Sequence, residues 1–158
     1  MEPIEVDGVD GLRELIGKDI GPTEWMAITQ EDIDRFAEVS RDFQWIHTDP
    51  ERAAKDSPYG VTVAHGNLTL SLIDGFRAQL YSQKGVVMGI NYGWDRVRFP
   101  APVLVDSRVR ATANVQSVEE LDGGWFHVVT RFTIEREGGD KPVCVADNVG
   151  RALVGSQS

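Results

Sequence analysis

What this sequence lacks narrows it first. Its one cysteine, Cys144, has no partner for an internal disulfide, which fits a reducing compartment such as the cytoplasm. Cys144 lies in the strand-like stretch V-C-V-A and reads as a small core residue rather than a nucleophile. Positive charge is scarce: 16 Lys and Arg stand against 25 Asp and Glu, a net charge of −9. That balance argues against nucleic acid, which requires a clustered basic surface. A small phosphate-bearing ligand stays open, since a few local Lys or Arg suffice for it. No apolar run is long enough to cross a bilayer, and M-E-P-I-E-V-D lacks the basic-then-apolar order of a signal peptide. With no export signal, Asn67-Leu68-Thr69 is a chance match to a glycosylation triplet. There is no Gly-rich phosphate loop and no G-x-S-x-G elbow, so nucleotide binding and serine hydrolysis by those routes have no support.

What is present is an ordinary globular composition, 41% hydrophobic and 8% aromatic, over 158 residues. This predicts one domain, residues 1–158, large enough to bury a core. Leu12, Leu15 and Ile16 share one face of a predicted short helix over 9–16, which Gly17 and Gly21-Pro22 terminate. Residues 24–28 read as a short strand. Thr29, with Asp32 three residues on, is a cap for a helix carrying Ile33, Phe36 and Ala37 on one side. Residues 41–48 have no sustained period and read as a loop. Asp49-Pro50 restarts a helix, with Asp as cap and Pro at the first helical position, and Ser57-Pro58-Tyr59-Gly60 breaks it. The longest predicted helix, 64–82, is apolar around most of its circumference and is therefore buried. After Gly85 come strands over 86–92, 95–99, 103–117, 125–135 and 143–153. Two of the turns, Leu121-Asp122-Gly123-Gly124 and Gly138-Gly139-Asp140, are of the hairpin type. One buried helix followed by antiparallel strands is an α+β arrangement, met most economically by a curved sheet wrapped around the helix.

The chemistry gathers between Phe36 and Asn67, which holds two of the three histidines. Asp42 and His47 give a carboxylate and an imidazole on one loop, two groups able to hold or deprotonate a water. Phe43, Trp45 and Ile46 lie among them and can exclude solvent and shift their titration. On spacing alone the pair has a plainer alternative: Asp42 as a turn cap and His47 as a satisfied loop histidine. At Val63-Ala64-His65-Gly66-Asn67 a helix start would leave the amides of Gly66 and Asn67 without intrahelical partners, a place for a developing oxyanion. A glycine at 66 lets a ligand carbonyl approach closely; it fits a simple helix entry equally well. His65 reads best as a packing or hydrogen-bonding residue. A metal set of His47 and Asp49 with His65 or His127 would imitate the two-histidine, one-carboxylate iron triad. Asp49 is better explained as a helix cap and His127 sits mid-strand, so no metal is expected.

At these residues the sequence resembles the MaoC-like family of (R)-specific enoyl-CoA hydratases, the type-2 hydratases. The family pattern is met by Phe36, Ser40, Asp42, His47, Asp49, Pro50 and Ala53, then by Ala64-His65-Gly66. Phe99, Pro102, Val103 and Val105 match its strand after the central helix. Two departures stand out: Arg41 replaces the family glycine before the Asp, and Gln44-Trp45 replaces its Asn-Pro. Asp74 stands where relatives often carry a small polar residue, and it is expected outside the active site or at most behind it.

The resemblance implies a hot-dog fold and reversible addition of water to a trans-2-enoyl thioester, giving an (R)-3-hydroxyacyl thioester. Asp42 and His47 would be catalytic and the Gly66 N–H the oxyanion donor, with Asn67, Trp45 and His65 as substrate-binding residues. No metal or redox cofactor is implied. The substrate would be a thioester of CoA or of acyl-carrier protein, and the chain would pair as a homodimer. Arg77, Lys84, Arg96 and Arg98 are candidates for the CoA phosphates. Two rivals remain: a hot-dog thioesterase, and a non-catalytic acyl-thioester-binding subunit of a dehydratase complex.

Overall fold

Four long strands curl around a helix in the computed structural model, which describes residues 2–155. Strand β1 (Ile4–Asp7) and helix α1 (Gly8–Glu14) lead into two short strands, β2 (Asp19–Ile20) and β3 (Met26–Ala27). Helices α2 (Gln30–Ser40), α3 (Trp45–Thr48) and α4 (Pro50–Asp56) follow. The central helix comes in two pieces, α5 (Gly66–Ser71) and α6 (Ile73–Leu80). The chain ends in β4 (Tyr81–Lys84), β5 (Val86–Arg98), β6 (Arg108–Glu120), β7 (Trp125–Arg136) and β8 (Cys144–Val154). The main sheet is antiparallel, in the order β2-β6-β7-β8-β5, with β3 on β6.

Alternation of side chains along a strand decides which face meets the helix. From β6 the residues Val109, Ala111, Ala113 and Val115 turn inward, all fully buried; Phe132 and Ile134 do so from β7, Cys144 and Ala146 from β8. Ile73, Phe76 and Leu80 of α6 meet them. Small residues on β6 allow the helix to approach, while Phe76 and Phe132 fill the volume between. Each aromatic contributes about 1.5–3 kcal/mol by burial. Cys144 lies in this core, where burial pushes its thiol up to about 11, as suits an inert packing residue.

Several boundaries differ from the sequence reading. The long helix is interrupted at Leu72, whose N–H bonds back three residues to Thr69, while Ser71 Oγ donates to the Leu68 carbonyl at 2.7 Å. A hydroxyl competing for a helix carbonyl bends the axis at that turn. The helix also stops at Leu80: Tyr81 is extended, and 81–84 pair in parallel with β1, burying Val6 and Tyr81. The strands expected at 86–92 and 95–99 are one strand, with register shifts between Asn91 and Gly93 and between Trp94 and Arg96. Such bulges bend a strand without ending it. Residues 103–107 do not join β6. Asp106 turns the chain at φ 62°, Ala64 N–H donates to the Val103 carbonyl, and Val105 N–H to that of Thr62. That stretch therefore holds the approach to α5 in place. In the expected loop 41–48, residues 45–48 form the helical turn α3.

Candidate active site

Three hydrogen-bonded corners bring the site together. The first is the end of α2, which starts from a complete capping box between Thr29 and Asp32. It ends with Arg41 in the left-handed region at φ 65°, a conformation that favours glycine. This is the position where the resembled family has glycine, the residue that adopts this conformation without strain. The reversal delivers Asp42, exposed, whose Oδ1 accepts from Gln44 N–H at 3.2 Å. Asp42 is thus also the turn cap that its spacing allowed.

The second corner is α3. His47 is buried, at 7% exposure, and its Nδ1 lies 2.6 Å from the Val63 carbonyl. A carbonyl only accepts, so Nδ1 carries the hydrogen and Nε2 of the neutral ring keeps its lone pair for a water. Burial is the main cause that lowers the pKa of His47 below the usual histidine value. The bond to Val63 opposes it, His65 adds to it and Asp42 opposes it. The backbone here is clamped from both sides: Val63 N–H donates to Ile46 O, and Gln30 Nε2 donates to His47 O at 2.7 Å. Gln30 also receives the Thr62 hydroxyl. The sequence reading missed Gln30, and a glutamine at the first position of a helix gives no signal that it will brace a residue seventeen positions on.

The third corner is the start of α5. His65, 3% exposed, directs Nε2 to the backbone carbonyl of Asp42 at 3.0 Å. Its ring stacks on His47 with centroids 3.8 Å apart and planes 24° apart, and Phe36 covers it at 4.9 Å. The first backbone bond of the helix runs from Thr69 N–H to His65 O, so the amides of Gly66 and Asn67 precede it. Gly66 lines a cavity of about 290 Å³ with Tyr59, Ala64, Thr69, Phe99 and Val103.

Asp42, His47 and His65 therefore meet: one donor atom from each lies within 4.8 Å of the others. Of the metal set considered from sequence, Asp49 instead caps α4 through Arg52 N–H at 2.9 Å, and His127 accepts from Arg151 on the sheet. The cluster that does form suits an ion poorly. The two rings lie in planes 24° apart with centroids 3.8 Å apart, so one ion would have to sit close to both ring planes at once to meet an in-plane lone pair of each.

The remaining predicted residues scatter. Trp45 is half-buried, with the Arg52 guanidinium 4.4 Å from the centre of its ring. Asn67 is exposed beside Gly66. Asp74 is exposed and pairs with Arg77 at 3.1 Å. Arg77 also donates to Asn148, Lys84 pairs with Glu5, and Arg98 donates to the Val97 carbonyl.

A curved antiparallel sheet around a central helix, with an acid and an imidazole at the helix entry, defines a hot-dog domain of the hydratase type. The chain belongs to the family described as MaoC like domain, whose profile matches residues 12–136. It is 47% identical over 145 residues to 3-hydroxyacyl-thioester dehydratase Z of Mycobacterium tuberculosis, covering 92% of this chain and 95% of that one. Among solved structures it is similar to the unliganded R-hydratase PhaJ1 of Pseudomonas aeruginosa (TM-score 0.68, 26% identity, 91% of this chain and 86% of that one). It is likewise similar to the (R)-hydratase of A. caviae involved in PHA biosynthesis (TM-score 0.62, 26% identity, 85% and 96%).

Proposed function

We propose that this protein hydrates trans-2-enoyl thioesters to (R)-3-hydroxyacyl thioesters and catalyses the reverse dehydration. The observation that carries the reading is the meeting of Asp42 and His47 beside the first amides of α5. A water held by the Asp42 carboxylate and His47 Nε2 gives up a proton to Nε2 as its oxygen bonds to Cβ of the enoyl group. The double-bond electrons move onto the thioester oxygen, where the Gly66 N–H stabilises the enolate. The Asp42–His47 pair then returns one proton to Cα on the same face, so one water is consumed and no metal or redox cofactor takes part.

Asp42→Asn and His47→Ala should each lower hydration of crotonyl-CoA by about 10²–10⁴. Near-normal hydration in both variants refutes the assignment. Release of free thiol in place of lost enoyl absorbance would make the protein a thioesterase. Stoichiometric binding without turnover would make it an acyl-thioester-binding subunit.

The active form in this reading is a homodimer of one hot-dog unit per chain. Strand β5 forms one edge of the sheet and exposes Val87, Met88, Ile90 and Tyr92, the first of these at 69%. A long apolar edge of this kind calls for a covering partner. Sedimentation should give twice the chain mass for the wild type and the chain mass for an Ile90→Lys/Tyr92→Glu variant.

A further inference from the structure

We propose that His65 is a positioning residue of the hydration site: its side chain sets the acid and the base relative to one another, next to the residue that carries the oxyanion donor. The inference rests on the hydratase reading above and adds a role for a residue between its catalytic groups. Three contacts carry it. His65 Nε2 donates to the carbonyl of Asp42 at 3.0 Å and so fixes the turn from which the carboxylate projects. Its ring lies flat on His47 at 3.8 Å, with Phe36 on another side, leaving the base ring little room to tilt. Its own carbonyl accepts the first backbone bond of α5, and the next residue is Gly66. A shift of the His65 side chain therefore disturbs the acid and the base together, and its backbone joins both to the residue that carries the oxyanion donor.

A fourth observation separates this from simple packing. His65 Nδ1 is buried and has no hydrogen-bond partner among the described residues. A buried polar atom without a partner costs stability, and a phenylalanine, or a leucine against Phe36, would fill the same volume without that cost. Keeping an imidazole here is explained by the hydrogen bond it gives to Asp42 and by the second polar ring it places against His47. The charged groups acting on His47 are His65 from the helix start and Asp42 from the loop; the former opposes protonation of the base and the latter favours it.

The test uses two variants of the full chain. His65→Phe keeps the ring and its contacts with Phe36 and His47 but loses the bond to Asp42. His65→Gln reaches the Asp42 carbonyl with an amide N–H but removes the stacked ring. The Phe variant, folded, should lose about 10- to 100-fold in kcat with KM changed less than threefold. The acid limb of its kcat/KM profile should move to higher pH, because the neighbour that disfavours protonation is gone. The Gln variant should recover part of kcat while keeping the displaced acid limb. A folded Phe variant with wild-type kcat and an unmoved limb overturns the proposal. If His65→Phe does not fold, the limb of His65→Gln decides: displaced supports, unmoved overturns. Failure of both to fold assigns His65 to the core and likewise overturns it. The wild type and Asp42→Asn measured alongside separate the two levels of argument. If the wild type does not hydrate crotonyl-CoA, the hydratase reading fails; if it does, and Asp42→Asn is inactive while His65→Phe is normal, only the role of His65 fails.

Discussion

Replacing Gly66 by alanine separates the two things a glycine at this position does. Its φ is not left-handed, so the backbone accepts a side chain. The added methyl would stand 3.0, 3.1 and 3.2 Å from Cε2, Cδ2 and Cζ of Phe99, a few tenths of an ångström inside ordinary contact. Phe99 is 43% exposed, so its ring has room to turn away. Moving it off its preferred rotamer costs about 0.5–1.5 kcal/mol. Alanine in place of glycine returns up to about 1 kcal/mol to the helix. The net change lies between about −0.5 and 1.5 kcal/mol, a Tm shift of at most about 3–6 °C for a chain of this size. Turnover should respond differently. The methyl projects into the cavity that Gly66 and Phe99 share, where a thioester oxygen must come within about 2.7–3.1 Å of the amide. A retreat of about 1 Å costs about 10² in rate, or about 2.7 kcal/mol of barrier. Crotonyl-CoA hydration, followed by loss of enoyl absorbance, should therefore fall about a hundredfold in a protein that melts within a few degrees of the wild type. Adding Phe99→Leu relieves the ring contact and should restore Tm without restoring the rate. A Gly66→Ala enzyme within threefold of wild type refutes the oxyanion role. Recovery of rate on adding Phe99→Leu would refute it too, by tracing the loss to the displaced ring.

Because burial depresses the pKa of His47, the acid limb of kcat/KM should lie below the ordinary histidine value of 6.5, read from a pH–rate profile. The same shift acts on stability. The unfolded chain takes up the proton near 6.5 and the folded one resists it, so denaturant midpoints should fall as pH drops through 6.5 and be insensitive to His47 above it. Arg41→Gly should raise stability by about 0.5–1 kcal/mol in urea unfolding. It relieves about 1–2 kcal/mol of left-handed strain and gives part of that back as unfolded-chain entropy. Asp74→Asn should leave hydration within about twofold of wild type and shift stability by less than about 1 kcal/mol, because the carboxylate that pairs with the half-buried Arg77 is itself well exposed to solvent.

Much of this molecule is legible in its sequence for one reason: local chemistry and global fold agree wherever the signal spans few residues. Thr29 with Asp32 and Asp49 with Pro50 announce helix starts because the caps are made within three residues, and both are formed as read. The alternation in β6, β7 and β8 is visible because one face of each strand is buried against the helix and the other is not. The failures are at places where a distant partner decides. Tyr81 and Ser82 read as the end of the long helix, yet Tyr81–Lys84 pairs with residues more than seventy positions earlier, and nothing local announces that. Residues 103–107 alternate like a strand, but their backbone groups go to Thr62 and Ala64.

The site follows the same division, and this bears on which of its features chemistry alone predicts. Residue types announce the acid, the imidazole and the helix entry, since few side chains move protons near neutral pH. What aims them is backbone: the Val63 carbonyl at His47 Nδ1 and the Asp42 carbonyl at His65 Nε2. A carbonyl is present at every residue, so no composition or spacing marks the two that matter. His65 illustrates the consequence. Read alone it is a packing histidine, and its contacts fit that description; only the position of its ring between Phe36 and His47, with its hydrogen bond ending on the residue that carries the acid, ties the packing to the chemistry.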